Sequence, residues 1–281
     1  YPLDSLPLPH LRRPEDFPDH PVLRKLREVQ CYEDSFKDED HIRTAIAGYY
    51  GMVSFLDDNI GRILTALRAT GLDADTRIVY TSDHGDNLGT RTFWGKSNMY
   101  DESAAVPLIM TGPDIAEGRR VATPVSLVDA HPTIMECLGA PVDDSLPGRS
   151  LLAIAEGAEP DRTVLSEYHA VASVTGIFMV RFGRYKYVHY EGYRPQLYDL
   201  EADPFETTDL ASDPAYGETL AEGDRRLRAI CDPSAVNQQA FADQRAKIEA
   251  AGGEAEVRKL GSYPYTPAPG EAPRFSTAGG S

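Results

Sequence analysis

The chain has 281 residues, enough for one large domain or two smaller ones, and its 41% hydrophobic and 26% charged residues are typical of a globular protein with a real core. The formal net charge of −16 argues against nucleic acid and anionic membrane surfaces as partners, and any anionic substrate must meet a local positive centre. No stretch approaches the roughly 18 consecutive apolar residues of a transmembrane helix, so we expect no membrane partner.

The cysteine pattern bears on the compartment. Cys31, Cys137 and Cys231 are far apart and odd in number. They give neither a disulfide framework nor a zinc pattern, and they favour a reducing compartment. We therefore expect a cytoplasmic protein.

The N-terminal stretch "YPLDSLPLPHLRRPEDFPDHP" opens on Tyr1 and lacks the layout of a signal peptide. Its six prolines within 21 residues exclude a regular helix and predict an extended segment over a surface. We expect that the sequence begins inside something larger.

A long helix is predicted over residues 41–70, with Asp40 as its cap and Gly71 at its end. Apolar residues recur there at spacings of four and three, which places them on one face. They are Ile42, Ile46, Tyr49, Val53, Leu56, Ile60, Ile63 and Leu67.

Two short apolar runs, residues 78–81 and 106–111, predict strands, and "SLVDAHPTIMECL" predicts a shorter helix over 126–138 that Pro132 can kink and Gly139 ends. Long helices between short, fully apolar strands indicate an α/β domain with a mainly parallel sheet flanked by helices. We place this domain at residues 1–158.

From about residue 160 the pattern changes. The runs "TVLSEYH", "GIFMVRFG", "YKYVHYEG" and "PQLYDLEADP" are rich in Val, Tyr and Phe, and they predict a small antiparallel sheet. Helices are predicted at about 215–231 and 234–251. We expect a small α+β subdomain at 159–260, then an extended or disordered tail at 261–281, rich in Pro, Gly and Ala.

The end of the first strand carries the strongest chemical signal. In "IVYTSDHGDNLG", Asp83 and His84 follow an apolar run, and ligands of open α/β sheets bind beyond the carboxyl ends of strands. A carboxylate beside an imidazole suits a divalent cation, and Asp86 could ligate it or support the ligands. Alternatively, Asp83 caps a turn and His84 is a surface residue; the motif by itself leaves both interpretations open.

The following residues carry a resemblance. The ordered motifs "TSDHG", "GKSNMYDE", "VPLIMTGP", "PVSLVDAHPTIMECLGAPVDDSLPGRSLL", "LSEYHA", "MVRFGRYKYVHY" and "PQLYDLEADPFETTDLA" resemble the sulfatases of the alkaline phosphatase superfamily. The form is most similar to choline sulfatases and phosphonate monoester hydrolases. The resemblance covers about residues 1–212, and it implies an alkaline phosphatase-like fold of which residues 1–158 are the C-terminal part of the catalytic domain.

The resemblance assigns roles by matching position. Asp83 and His84 resemble two ligands of the active-site divalent metal, which would be Ca, Mn or Mg. Lys96 resembles the catalytic lysine on the sulfuryl or phosphoryl oxygens; without the motif it would be a solvated surface lysine. We expect the side-chain ends of Asp83, His84 and Lys96 to converge on one concave region. His169 is a further catalytic candidate, with a structural histidine about as plausible.

The family's nucleophile is a Cys, converted to formylglycine, or a Ser in a C-x-P-x-R motif, and none of the three cysteines stands in that motif. We therefore expect formylglycine only in a missing N-terminal part. The chain is either a fragment of a longer protein or a truncated relative without catalysis.

Other residues receive weaker interpretations. We expect Asn98, Tyr100 and Glu102 to shape the Lys96 loop, Trp94 to pack rather than wall the site, and His131 to lie in the core. Arg181, Arg184 and Lys186 are predicted to form a basic strand edge that is solvated or paired with acids.

The implied function is metal-dependent hydrolysis of small-molecule sulfate esters. Hydrolysis of phosphonate or phosphate diesters and a metal-binding relative without turnover are the alternatives. We also expect a homo-oligomer.

Overall fold

The computed structural model describes residues 1–143, 145–158 and 160–260. Two compact units appear, Tyr1–Cys231 and one that starts at Asp232. The predicted tail at 261–281 lies outside the described residues, and the predicted boundary near residue 158 stays a prediction. Among the described residues, none of the helices is long and apolar enough to cross a membrane.

The N-terminal stretch contains only single 3-10 turns, at Leu3–Ser5 and Pro14–Asp16, until helix α1 begins at Pro21. The sequence patterns did not predict α1 (Pro21–Gln30). Proline at the first helical position is favourable because its missing N–H would have had no partner there. Val22, Leu23 and Leu26 of α1 are fully buried, so the helix anchors this segment in the core.

Helix α2 spans Glu39–Ala69 and confirms the predicted long helix. Its cap is Asp38, whose side chain accepts from the His41 N–H at 2.9 Å, and not Asp40 as predicted. Ile42 and Ile46 are buried beside Leu6 and Phe36. Further along, the helix exposes Met52, Val53, Phe55, Leu56 and Ile63, so much of its apolar face is open.

Strands β1 (Ile78–Thr81) and β2 (Leu108–Thr111) pair with each other in antiparallel fashion, with Ile78 opposite Thr111 and Thr81 opposite Leu108. The parallel arrangement predicted for these two apolar strands is therefore wrong. A parallel pair needs a crossover that returns to the starting edge. Here the connection contains a 3-10 turn and the short helix α3 (Asp101–Ala104), and it returns to the sheet at the same end at which β1 finishes.

Two short helices follow, α4 (Ala130–Cys137) and α5 (Leu151–Ala155). Asp129 precedes α4 and is fully buried in an ion pair with Arg162, at 2.7 Å from Nη1. His131 is exposed on α4, which corrects its predicted place in the core. The buried positions of this helix are Pro132 and Thr133, on the side that faces Gly148 and Leu151.

The predicted C-terminal sheet is confirmed. Strands β3 (Thr163–Tyr168), β4 (Ile177–Phe182), β5 (Tyr185–Tyr190) and β6 (Gln196–Asp199) form an antiparallel sheet in that order. Helix α6 (Gly217–Ile230) packs against it, with Leu227 fully buried. One shared core joins this sheet to α1 and to residues between β1 and β2, notably Phe93 and Tyr100.

The second unit contains α7 (Pro233–Ala250) and α8 (Glu254–Leu260). Asp232 caps α7 by accepting from the N–H groups of Ser234 at 3.0 Å and Ala235 at 3.2 Å. The bounds of α6 and α7 agree with the two predicted C-terminal helices, whereas α8 was not predicted.

A glycine substitution tests the seat of α6 on the sheet. A Cβ at Gly223 would lie 2.6 Å from Tyr187 side-chain atoms, whereas one at Gly217 would meet nothing within 4 Å. We expect Gly223→Ala to lower the free energy of unfolding by about 1–3 kcal/mol through overpacking. Gly217→Ala, at the start of the same helix, should change it by less than about 0.5 kcal/mol. Equal urea midpoints for the two variants would contradict the packing described.

The buried histidine before α1 predicts acid sensitivity. His20 is fully buried, its Nε2 donates to the Arg194 carbonyl at 2.9 Å, and its ring lies 4.0 Å from that of Tyr190. Burial lowers the pKa of His20 below its ordinary value, against the opposing effect of Asp209 and Asp19. Below about pH 6.5 the unfolded state then binds more protons, so stability should be lost as the pH falls from about 7 to 5.5.

The measurement is urea unfolding across that pH range. His20→Gln should flatten the pH dependence of the unfolding free energy. His131→Gln, at an exposed histidine, serves as the control and should keep the slope of the unsubstituted chain. The interpretation is wrong if both variants show the same slope.

Candidate functional site

The connection between β1 and β2 carries the candidate site. Because the two strands are antiparallel, the connection leaves and re-enters the sheet at the same end, where Thr81 lies opposite Leu108. Asp83 and His84 lie directly after β1, and Lys96 lies farther along the same connection. The fold therefore holds all three residues on one loop at one edge of the sheet.

The side chains of Asp83, His84 and Lys96 converge. The Lys96 ammonium donates to His84 Nε2 at 2.5 Å, and Asp83 Oδ2 lies 3.4 Å from the same nitrogen. His84 Nδ1 donates to the Gly85 carbonyl at 2.8 Å, which leaves Nε2 as the acceptor. The predicted convergence is confirmed, and the Nε2 lone pair points at a cation.

Asp83 is open to solvent, with its side chain 80% exposed. Partial desolvation raises the pKa of the Asp83 carboxyl. The charge of His84, the hydrogen bond from the His84 backbone N–H and the charge of Lys96 outweigh this effect, so the pKa lies below its ordinary value. The carboxylate is therefore ionised at neutral pH and accessible to a ligand.

Asp86 and Asn87 brace the loop that presents Lys96. Oδ1 of Asp86 accepts from the N–H groups of Leu88 at 2.8 Å and Gly95 at 3.1 Å. The buried Asn87 donates through Nδ2 to the Gly95 carbonyl at 2.7 Å. Asp86 thus shapes the loop, and a ligand role for it stays a prediction.

The residues after Lys96 are also fixed. Asn98 donates to Asn87 Oδ1 at 3.2 Å and accepts from the Tyr100 N–H at 3.1 Å, as expected for a residue that shapes this loop. Ser97 has φ of 89°, a left-handed conformation that costs of order 1–3 kcal/mol outside glycine. Strain of this kind persists only where surrounding contacts hold the backbone, and here it lies next to Lys96.

A buried ion cluster contacts the connection between β1 and β2 just after Lys96. Lys186 on β5 is only 1% exposed and donates to Glu206 Oε1 at 2.7 Å, to the Met99 carbonyl at 2.9 Å and to Asp101. The Asp101 N–H in turn donates to Glu206 Oε2 at 2.7 Å. Lys186 was predicted to lie on a basic strand edge, either solvated or paired with acids. It is paired with acids, as one alternative had it, but it is buried and not at a solvated edge.

Arg91 forms a second buried link that the sequence analysis missed. It donates to both oxygens of Glu102 at 3.2 Å, to the Phe205 carbonyl and to the Glu206 carbonyl at 3.3 Å. Its guanidinium carbon lies 4.0 Å from the centre of the Tyr100 ring. The segment around Glu206 belongs to "PQLYDLEADPFETTDLA". The acidic residues at the end of that motif were the feature of the sequence that could have indicated a partner segment for a buried arginine.

Gly85 lets α3 lie against the candidate site. Its N–H donates to the Ser103 carbonyl at 2.9 Å, and a Cβ at this position would lie 2.1 Å from the Glu102 carbonyl oxygen. Only glycine fits this approach without a shift of backbone. The ion cluster below α3 is thereby linked to the backbone of His84.

The remaining predicted site residues lie in other surroundings. His169 has Glu167 at 3.4 Å and the Phe178 ring at 5.1 Å, and both neighbours belong to the C-terminal sheet. Its catalytic role stays a prediction. Trp94 donates to Glu33 at 2.8 Å, and its ring packs at a tilt against Phe36 with 4.6 Å between the ring centres, which agrees with a packing role.

Two family models match the sequence. Residues 19–140 match the model described as Sulfatase, and residues 89–232 match the one described as N-sulphoglucosamine sulphohydrolase, C-terminal. The chain belongs to the sulfatase family. The predicted membership of the alkaline phosphatase superfamily is thus confirmed.

Curated relatives of this sulfatase-family chain include choline-sulfatase of Rhizobium meliloti (strain 1021), 39% identical over 186 residues, which are 65% of this chain and 36% of that protein. Arylsulfatase K of Xenopus laevis is 33% identical over 254 residues, 81% of this chain and 47% of that protein. The chain therefore spans less than half the length of these two relatives.

Solved structures confirm the fold class. The phosphonate monoester hydrolase from Silicibacter pomeroyi superposes with a TM-score of 0.71 at 28% identity, over 82% of this chain and 51% of that one. The α/β, alkaline phosphatase-like fold with a small antiparallel C-terminal sheet is confirmed, with the corrected pairing of β1 and β2.

The sulfatase family implies a divalent metal, and the site residues fit part of its ligand set. Two ligands at about 2.1–2.4 Å from one ion and at right angles would be roughly 3.0–3.4 Å apart. Asp83 Oδ2 and His84 Nε2 are 3.4 Å apart. In the part of the chain that the structure describes, no group of three or more His, Cys, Asp or Glu is arranged around one ion.

One serine of this sulfatase-family chain stands in the spacing S-x-P-x-R. It is Ser145, followed by Pro147 and Arg149. Its Oγ donates to Asp143 Oδ1 at 2.6 Å within an exposed turn. The partners are those of a surface turn, so we assign this serine no chemistry.

The ion cluster yields a stability prediction. Lys186→Met leaves Glu206 and Asp101 without their cation, and breaking a buried pair in this way should lower the unfolding free energy by about 3–5 kcal/mol. The double variant Lys186→Met/Glu206→Leu should recover part of the loss, because it removes the buried charge of Glu206, whereas Asp101 is 41% exposed and can be solvated. Urea unfolding measures both.

The matched control is Lys25→Met, since Lys25 is half exposed in a surface pair with Glu28 at 3.0 Å. A surface pair contributes no more than about 1 kcal/mol. Equal effects of the two lysine substitutions would contradict the support that we assign to Lys186.

Proposed function

We propose that the chain contributes Asp83, His84 and Lys96 to a metal-dependent site that hydrolyses sulfate esters. The observation that supports this most is the convergence of the three side chains on His84 Nε2, at 2.5 Å and 3.4 Å. The sulfatase family model over residues 19–140 and the relatives' names agree with this chemistry.

Each residue has a distinct task. Asp83 and His84 Nε2 would hold the divalent metal, and the Nδ1–H bond to the Gly85 carbonyl would keep the imidazole in the ligating tautomer. When bound, such a metal stabilises negative charge on sulfuryl oxygens as a Lewis acid. Lys96 would donate hydrogen bonds to the same oxygens, where charge grows during transfer.

The proposal assigns no nucleophile to residues 1–281, because none of the three cysteines stands in the formylglycine motif and Ser145, which has the serine form of the spacing, lies in an exposed turn bonded to Asp143. His169 remains a second catalytic candidate. We propose a small-molecule ester as substrate and Ca, Mn or Mg as the metal. The homo-oligomer and the cytoplasmic location remain predictions.

Hydrolysis of phosphonate or phosphate esters is the second candidate function. It is favoured by the TM-score of 0.71 to a phosphonate monoester hydrolase. Both chemistries place oxyanions between a metal and a fixed ammonium group. A non-catalytic, metal-binding role is the third possibility.

Metal binding tests the proposal. Mn²⁺ is titrated into residues 1–281, and the free ion is followed by its electron paramagnetic resonance signal. Asp83→Asn and His84→Gln should each weaken Mn²⁺ binding about tenfold or more. Lys96→Met should strengthen it, because the ammonium no longer competes for Nε2. Asp58→Asn, at an exposed acid on α2, is the control.

The preference for one anion is determined by measuring the binding of sulfate and of methylphosphonate in the presence of Mn²⁺. Sulfate binding that weakens in Lys96→Met supports sulfate esters, and stronger binding of methylphosphonate favours the second candidate. If Asp58→Asn and Asp83→Asn weaken Mn²⁺ binding equally, the chain attracts the ion only by diffuse charge and the assigned site is wrong.

A further inference from the structure

A cavity of about 320 Å³ opens beside Asp83. Its walls come from the segment around β2 and from strands β3 and β4. Val106, Leu108, Val164 and Met179 supply apolar lining, and the charged residues that line it are Asp83, Asp101, Lys186 and Arg181 of β4. A cavity of this size takes a small organic group.

Arg181 is an unusual cation within this cavity. Among the described residues its side chain has no hydrogen-bond or ion-pair partner, and its Nη1 is hidden from solvent. Its neighbours on β5 and the preceding turn are committed: Lys186 to Asp101 and Glu206, and Arg184 to Asp199 at 2.7 Å. A partly buried guanidinium without a partner is unfavourable unless something supplies acceptors.

The acids around Arg181 do not supply those acceptors. Asp101, Glu201, Glu206 and Asp199 act on it only through space, and each has a cationic partner of its own. Burial lowers the pKa of Arg181, yet a guanidinium stays protonated in proteins. The cavity thus offers a fixed positive charge with free N–H donors.

We propose that Arg181 binds an oxyanion on the alcohol part of the substrate, so that the site selects esters with a second anionic group. This specificity rests on the proposed function, since it takes Asp83 to mark the end where the ester group lies. An alcohol part with a positive charge would meet Arg181 with like charge. The second anion is a carboxylate or a sulfate, because both match the fork of the guanidinium.

Methionine methyl resonances can test the site in the full chain. The chain has five methionines, Met52, Met99, Met110, Met135 and Met179, of which Met179 lines the cavity. With methyl-labelled methionine, benzoate or benzenesulfonate should shift the Met179 resonance saturably and leave Met52 and Met135 in place. Benzamide and benzamidinium, of matching size but without negative charge, should bind at least about tenfold more weakly.

Arg181→Gln should weaken binding of the anionic probe about tenfold or more, whereas Arg184→Gln should leave it unchanged. Unshifted resonances of the other methionines report that the variant is folded, and Arg181→Lys provides a second variant that keeps the charge but loses the fork. Whichever of benzoate and benzenesulfonate binds more tightly identifies the anion.

Equal binding of benzamide, or unchanged binding in Arg181→Gln, would overturn the proposal and leave an apolar cavity. The result is separable from the metal titration. Anion binding without Mn²⁺ binding removes the proposed function and keeps the oxyanion site. Mn²⁺ binding without anion binding removes only the role of Arg181.

Discussion

The buried cluster of Lys186, Asp101 and Glu206 is the interaction on which the candidate site depends. Three separate segments meet at one ammonium group that is only 1% exposed: strand β5, the start of α3 and the turn after β6. Lys186 and Glu206 are each only 1% exposed and would be strongly unfavourable there without a partner, so the cluster ties the three segments together. Through Gly85, whose N–H donates to the Ser103 carbonyl, this arrangement reaches the backbone beside His84.

The same constraint explains why one loop can carry a chemical site. Apart from a 3-10 turn at Thr90–Thr92, the only regular structure in the connection between β1 and β2 is the four-residue helix α3, and irregular segments of this kind are usually mobile. Here Arg91, Asn87 and Asp86 hold it through buried or bifurcated hydrogen bonds. Lys96 is thereby kept at 2.5 Å from His84 Nε2, and the strained backbone of Ser97 is tolerated.

Charge is distributed unevenly around this site. The chain has a net charge of −16, yet two cations, Lys96 and Arg181, face the region of Asp83, and neither side chain pairs with a carboxylate in the part of the chain that the structure describes. Most of the other basic side chains that the structure describes pair with acids, such as Arg226 with Asp161 at 2.9 Å. A local positive centre in an acidic protein concentrates the attraction for an anion at one place.

The sequence by itself determined the long helix, the four C-terminal strands, helices α6 and α7, the family, and the convergence of Asp83, His84 and Lys96. These features are local in the chain or follow from motif order, since apolar periodicity and turn residues act over a few positions. Only the tertiary structure decided the antiparallel pairing of β1 with β2, the exposure of His131, the burial of Lys186 and the free guanidinium of Arg181. Such outcomes depend on partners far away in sequence, as Glu206 is from Asp101, and a residue's own neighbours in the chain do not specify whether its charge ends in solvent, in an ion pair or in a cavity.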